Sequence, residues 1–377
     1  MLTTILSSYS GFITSAGYFI IVLGILVFVH ELGHFLLAKK LGVGVITFSL
    51  GFGPKLIGKR IGETQYQISA VPLGGYVKLI GEDRGEEVKE EDRVRSFSFQ
   101  PIWKRVLIIC AGPFFNMFLT LIVFCFSFIF FGIPEETLPL PPIIGGLQSG
   151  LPAEKAGLKK GDTILSIDGV NITTWIDISS IIRKGEGKEL SIKVKRNEEI
   201  TEFKISPELS KEKQNQGEKN VYVIGITPPF EEMTFRYKSV GPAEAVYEGV
   251  LQTWHLTKLM VVVLGKMISG EISAKTIGGP IQIAQEAGRQ GKKGLPYLLG
   301  LIAILGINLG LINLFPIPIL DGGHLLFLVM EAILGRPISI KKMEIAQQIG
   351  LFLIILLMLY AFHNDLRRIF FPGGYGF

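Results

Sequence analysis

The first 29 residues carry no Lys, Arg, Asp or Glu, and the next five are His30-Glu31-Leu32-Gly33-His34. A bilayer's hydrocarbon core takes roughly 20 apolar residues of helix. Residues 12–29, extended by the first turn of that motif, are therefore long enough to span one. On a helix, positions i and i+4 share a face, so both imidazoles can grip one metal ion with Glu31 beside them. Ionisable groups at membrane depth are expensive and are kept for function. Only 5 His occur in 377 residues, so a chance HExxH is rare. The bland alternative is two unrelated histidines, each hydrogen-bonded to a neighbouring helix. The pattern points to zinc chemistry inside a bilayer.

Composition narrows the classes further. Hydrophobic residues make up 48% of the chain and charged ones 19%, with a mean hydropathy of +0.42, which is a membrane protein's balance. The net charge of +5 reads as membrane topology. No basic stripe interleaved with aromatics lies outside the juxtamembrane loops, which argues against nucleic acid as a partner. Cys110 and Cys125 both fall in the second apolar span, so no secreted-type disulfide framework is expected. The N-terminus lacks a basic n-region and reads as a retained helix rather than a cleaved signal peptide.

Three further apolar runs follow: residues 106–133 and 295–320, both without charge, and residues 345–362, weakly polar at Gln347 and Gln348. Together they predict four transmembrane helices. Residues 39–105 contain twelve Lys and Arg against none in residues 1–29. The positive-inside rule then puts that loop, and the one holding Arg336, Lys341 and Lys342, in the cytoplasm, with residues 134–294 outside. Arg367 and Arg368 run weakly against this. Residues 256–268 are apolar but short and broken by Lys258 and Lys266; with residues 243–255 they suit an amphipathic helix lying in the interface. Parity agrees, because a crossing there would carry Asp321 to the face opposite His34.

Between the second and third spans lies a polar, strand-rich region. Residues 150–169 read as a short helix, a tight Gly-Asp turn and a strand ending in an Asp-Gly hairpin. This resembles the core of a bacterial PDZ domain, a module that takes extended peptides by strand addition. The alternative is that Gly and Asp here only make β-turns. Nearer the motif, residues 46–50 and 65–69 alternate as strands, with Gly51-Phe52-Gly53-Pro54 as a break. Such a pair could offer a free edge to an extended substrate, or be an ordinary hairpin.

Catalytic zinc usually takes three protein ligands plus a water, and HExxH supplies two. Candidates for the third are Asp321, His324, His255, Glu331 and His363. Asp321 is the best: it ends a charge-free run, and Gly322-Gly323 behind it permit a sharp turn. His324 competes as a ligand, a supporting group or a helix-start residue. Pro316 and Pro318 supply no backbone N–H, so carbonyls near Ile312 and Leu314 are expected to lose helix partners. Unwound backbone at membrane depth is tolerated only where protein or a cavity covers it. Those carbonyls and Asn313 could then hold a substrate strand; the alternative is a plain structural kink.

Taken together, the HELGH helix, GFGP, Gly74-Gly75-Tyr76-Val77-Lys78, AGPFFN at residues 111–116, the PDZ core, Gly278-Gly279-Pro280-Ile281 and NLFPIPILDGGH at residues 313–324 resemble the site-2 protease family. These are zinc metalloproteases that cleave within membranes, and the likeness is to the bacterial regulator of sigma-E protease type. It implies His30, His34 and Asp321 as zinc ligands, Glu31 as general base and His324 as a non-ligand. Asn313, Pro316 and Pro318 become substrate-positioning residues, and the glycine-rich strands a membrane re-entrant β-hairpin. Many relatives carry two PDZ domains; one is found here.

The expected organisation is a first membrane helix with the motif (1–41), a re-entrant β region and acidic loop (42–100), and a second helix (101–134). A PDZ domain (140–208) and a linker with an interfacial helix (209–294) follow, both extracytoplasmic. A third helix (295–335) and a fourth with the tail (336–377) complete the chain. The expected setting is a bacterial inner membrane, multi-pass, with the active site near the cytoplasmic side. Expected partners are the lipid bilayer, single-span membrane proteins such as anti-sigma factors or remnant signal peptides, and a peptide C-terminus at the PDZ domain. Rival readings are a zinc transporter, which needs polar groups along a whole path, and a silent PDZ-bearing adaptor, which leaves HExxH unexplained.

Overall fold

The computed structural model describes residues 2–82, 88–135, 140–148, 150–214, 217–229 and 236–370. Residues 83–87 of the expected acidic loop and 371–377 of the expected tail lie outside them. The chain divides into two compact units, residues 1–133 with 239–366, and residues 134–238 with 367–377. Elements are numbered in chain order.

The first unit is helical. Four of its helices are long and apolar enough to cross a membrane: α1 (Leu2–Lys40), α2 (Ile102–Phe130), α7 (Leu295–Asn313) and α9 (Ile340–Phe370). Val22 and Leu26 of α1, Val123, Phe124 and Phe128 of α2, and Ile302 and Ala303 of α7 bury one another in a single core. Gly33 brings α1 and α2 close, since a Cβ there would stand 2.5 Å from the Ala111 carbonyl oxygen.

The charge-free run at residues 295–320 is not one helix. α7 stops at Asn313, and α8 (Asp321–Leu334) starts afresh after a turn. Pro318 has no N–H to offer Leu314, so the α ladder cannot continue. The last turn tightens instead, with Leu314 N–H donating to Leu311 O and Phe315 N–H to Ile312 O. The Ile312 carbonyl, expected to be free, is thereby taken.

The region expected as a linker with one interfacial helix holds two helices. α5 (Pro242–Ile268) covers the segment expected to be amphipathic. It seats Ala245 in the α1–α2–α7 core and sets Gly249 beside Cys125, while Trp254, Leu259, Val261 and Val262 stay exposed. α6 (Pro280–Lys293) carries too few apolar residues to have stood out. It packs on the start of α1, where Gly288 meets Ser15 and Gly291 meets Tyr18. Asp365 of α9 caps it, accepting from the N–H groups of Gly279, Ile281 and Gln282 at 2.9, 3.0 and 3.1 Å. Three orphan donors of a helix start are thus satisfied by one carboxylate.

After α1 the chain forms two long strands, β1 (Val45–Ile61) and β2 (Thr64–Leu79). Gly51-Phe52-Gly53-Pro54, expected to break the strand, only bends it. Gly51 and Gly53 have φ of +89° and +84°, a region open to glycine, and the register shifts there without the strand ending. The bend folds the pair back on itself. Residues 47–50 pair with 65–68 on one side and with 75–78 on the other, while residues 57–61 close a hairpin onto 64–68. The expected free edge, residues 46–69, is therefore mostly internal. Among the described residues the outer stretches of this sheet are 75–79 and 55–61.

The second unit is entered and left through β3 (Ile133–Glu135) and β12 (Arg236–Lys238), which pair. A four-stranded sheet runs in the order β6 (Val170–Asn171), β5 (Thr163–Ile167), β7 (Leu190–Arg196), β8 (Glu199–Ile205). β4 (Gly146–Leu147) pairs with β11 (Ile226–Thr227), and β9 (Glu208–Gln214) with β10 (Gly217–Val223). A short α3 (Pro152–Lys155) and α4 (Trp175–Lys184) cover the core of Ile144, Ile164, Ile167, Ile178 and Ile192. Thr174 and Asp177 form a reciprocal capping box at the start of α4. The expected short helix, Gly-Asp turn and strand of residues 150–169 are all present.

Candidate metal centre

Three atoms meet where α1, α2 and α8 converge. His30 Nε2 lies 3.2 Å from Asp321 Oδ2, His34 Nε2 lies 3.5 Å from the same oxygen, and the two imidazole nitrogens are 3.3 Å apart. Ligands at about 2.0–2.1 Å around a tetrahedral ion stand about 3.3–3.4 Å from one another. The separations thus match a site for one small cation. The surroundings agree: Asp321 Oδ2 is sealed from solvent and accepts no hydrogen bond of good geometry. A His-His-Asp donor set of this shape fits zinc.

Each element contributes for a local reason. Helical spacing sets His30 and His34 on one face of α1, their rings edge to face at 4.9 Å. Asp321 opens α8, and Gly322 and Gly323 let that helix start turn tightly; a Cβ on either would overlap carbonyls of residues 314–317. α2 supplies the backing. Gly112 has no side chain, and a Cβ there would overlap His34 Nε2 and stand 2.8 Å from His30 Cε1. The Ile108 carbonyl takes the proton of His34 Nδ1 at 2.8 Å. Pro113, which cannot donate into the ladder, loosens α2 at this level.

Glu31 faces the strand edge. Its carboxylate accepts from the backbone N–H of Val77, and Gly75 lets the strand approach, a Cβ there standing 3.2 Å from Glu31 Cγ. Glu31, both histidines, Asp321, Asn313, His324 and residues 74–77 line one cavity of about 1150 Å³, whose far wall includes Met343, Glu344 and Gln347 of α9. Asn313, at the end of α7, brings its Nδ2 to 3.4 Å from His30 Nε2.

The expected residues divide into groups. His30, His34, Glu31, Asp321 and Asn313 come together. Pro316 and Pro318 do not line the cavity; they end α7, and Pro318 lies against Gly350 of α9, where an added Cβ would stand 3.2 Å from Pro318 Cδ. Of the other third-ligand candidates, His324 lies one turn beyond Asp321 with its ring edge on to Phe327. Glu331 is engaged by Arg105 through Oε1 and Oε2 at 2.5 and 3.2 Å. His255 and His363 fall outside the cluster. Gly112, Ile108 and Asn116 were not singled out for roles in the sequence, although Gly112 and Asn116 sit in the AGPFFN stretch.

Comparison with known proteins gives a consistent picture. The model of Peptidase family M50 matches residues 18–357. The chain is 38% identical over 360 residues to a Brucella suis protein named "Putative zinc metalloprotease", covering 92% of this chain and 94% of that one. It is 35% identical to an Agrobacterium fabrum protein of the same description, covering 96% and 98%. It is 31% identical to the "Regulator of sigma-E protease RseP" of Salmonella typhimurium, covering 93% and 98%. A solved PDZ domain of an SdrC-like protein from Listeria monocytogenes aligns with 25% of this chain and 92% of its own, at 22% identity and a TM-score of 0.20.

Proposed function

The chain belongs to peptidase family M50 and is a zinc metalloprotease of the site-2 type; we propose that it hydrolyses peptide bonds inside the membrane segments of single-span proteins, with His30, His34 and Asp321 as the zinc ligands. The observation that carries this is the triangle of His30 Nε2, His34 Nε2 and Asp321 Oδ2 with 3.2–3.5 Å sides, formed from residues 291 positions apart in sequence.

Zinc, when bound, polarises the scissile carbonyl and makes a water acidic enough to lose a proton near neutral pH. Glu31 is the general base in this reading. Held by Val77 N–H, its carboxylate takes the water's proton and returns it to the leaving amine. Asn313 has a carboxamide within reach of the same point and serves to orient the substrate. A helix buried in lipid has all its peptide groups bonded internally, so the substrate must unwind before it is cut. The outer stretch of the sheet at residues 75–79 is the place where an extended segment would lie by strand addition, a reading supported by Gly75, Tyr76 and Val77 lining the cavity that holds Glu31. Pro316 and Pro318 act indirectly, by ending α7 where Asn313 is needed.

The setting we infer is a bacterial inner membrane. Twelve Lys and Arg in residues 39–105 support a cytoplasmic position for that side. The centre then lies towards the cytoplasmic face, and residues 134–238 lie outside as a PDZ-like docking or size filter for a peptide C-terminus. Anti-sigma factors and remnant signal peptides are the substrate classes that suit such a site, with α5 resting its exposed apolar face on lipid.

Glu31→Gln tests the chemistry. The variant is expected to keep zinc and lose cleavage of a co-expressed panel of single-span proteins by at least about 10²-fold. Full cleavage by that variant removes the base assignment, and absence of zinc from the purified wild type removes the metal assignment.

A further inference from the structure

Both histidines of the centre lean on α2, each through its Nδ1. His34 Nδ1 meets the Ile108 carbonyl, an acceptor and nothing else. That contact fixes the His34 proton on Nδ1 and leaves the Nε2 lone pair for the cation. Eight residues further along the same helix, Asn116 brings its amide nitrogen to 3.2 Å from His30 Nδ1. Asn116 is fully buried, at 0% exposure, and its Oδ1 has no hydrogen-bond partner at all. A sealed carboxamide with an orphaned oxygen beside an imidazole is a costly arrangement.

The chemistry of a ligated histidine decides which end of the amide faces it. A neutral imidazole that gives its Nε2 lone pair to a metal carries its proton on Nδ1 and must donate from there. A carboxamide NH₂ facing that proton sets donor against donor. A half-turn of the amide exchanges two groups of nearly equal size and presents Oδ1 to the same nitrogen. We propose that Asn116 is the positioning residue for His30, accepting the Nδ1 proton through Oδ1 and so presenting the Nε2 lone pair to the metal. α2 then orients both imidazoles with acceptors two helical turns apart, Ile108 O and Asn116 Oδ1, and Gly112 midway between them clears the space for the rings. The AGPFFN stretch gains a physical purpose: its glycine is the clearance and its asparagine the acceptor. The inference rests on the metal centre proposed above.

The test uses the full chain in detergent and reads zinc affinity by chelator competition, with thermal melting of the metal-free forms alongside. Asn116→Leu keeps the shape and removes the acceptor; Asn116→Asp keeps an acceptor and removes the donor. Loss of an outer partner of this kind weakens metal binding about 10–100-fold. The expected result is that weakening in Asn116→Leu, and binding within a few-fold of wild type in Asn116→Asp. Wild-type affinity in Asn116→Leu overturns the proposal, as does an Asn116→Asp variant that loses zinc as badly as Asn116→Leu. Should Asn116→Leu fail to fold, Asn116→Asp decides alone: retained zinc supports the acceptor role, and a loss of 10-fold or more refutes it. His30→Ala runs in parallel. If wild type and His30→Ala bind zinc equally, it is the metal centre that fails rather than the role of Asn116.

Discussion

Arg105, in the first turn of α2, grips Glu331 of α8 through both terminal guanidinium nitrogens, across 226 positions of sequence. Both side chains are nearly buried, at 5% and 12% exposure, and Arg105 Nε also donates to the Gln100 carbonyl at 3.0 Å. The pair ties α2 to the helix that Asp321 begins, and so fixes how that helix sits against α2. Removing one partner of such a pair leaves the other charge buried and costs about 3–5 kcal/mol. Arg105→Met and Glu331→Leu are each expected to lower the melting temperature and weaken zinc binding, because Asp321 loses its support. The double variant is expected to recover much of the melting loss. Melting curves and chelator competition on the three variants check this.

Gly112→Ala is expected to damage the centre more than its single methyl suggests. The new Cβ would overlap His34 Nε2 and crowd both rings, and the backbone of α2 cannot retreat without withdrawing Ile108 O from His34 Nδ1. Overpacking of this kind costs about 1–3 kcal/mol. Zinc affinity should fall at least about 10-fold, as for loss of an outer-shell partner. Titration against a chelator measures it.

Val77→Pro separates the strand edge from the metal. Proline deletes the N–H that Glu31 accepts, while edge positions tolerate it. The expected outcome is normal zinc content with cleavage reduced at least about 10-fold, as for loss of one charge-assisted hydrogen bond. A parallel zinc assay and cleavage assay distinguish this from general unfolding.

The second unit carries its own pH dependence. Burial by itself raises the carboxyl pKa of Asp162, but the Arg196 guanidinium and the Lys159 N–H outweigh it, and the net shift is downward. A carboxylate depressed in the folded state contributes stability that is complete above its unfolded value of about 3.9 and is lost as pH falls through the folded value. Protection of residues 143–205 in the full chain, referred to the intrinsic exchange rate at each pH, should therefore fall only at acid pH. Asp162→Asn should show the lower protection at neutral pH and a flatter acid response.

The membrane helices and the HExxH face were legible because their signals are local: uncharged runs, and two imidazoles four residues apart. The proline interruption after Asn313 was legible for the same reason. The fold-back of β1 and β2 was not, since glycines at 51 and 53 look the same in sequence whether they end a strand or bend it. α6 escaped notice because its stability comes from Asp365 and from close packing on Ser15 and Tyr18, not from an apolar stripe. The roles of Ile108 and Arg105 were invisible for a deeper reason: one works through a backbone carbonyl, which every residue has, and the other through a partner more than two hundred residues away.

The doubly flanked segment at residues 47–50 has a mechanical corollary. Because it is stitched on both sides, sliding either neighbour by one residue would have to drag all three stretches together. Such a slip would also turn the Val77 amide away from Glu31. The alignment of a few peptide groups in a small sheet and the aim of the proton-carrying carboxylate are therefore a single adjustment, and a mutation loosening one would detune the other.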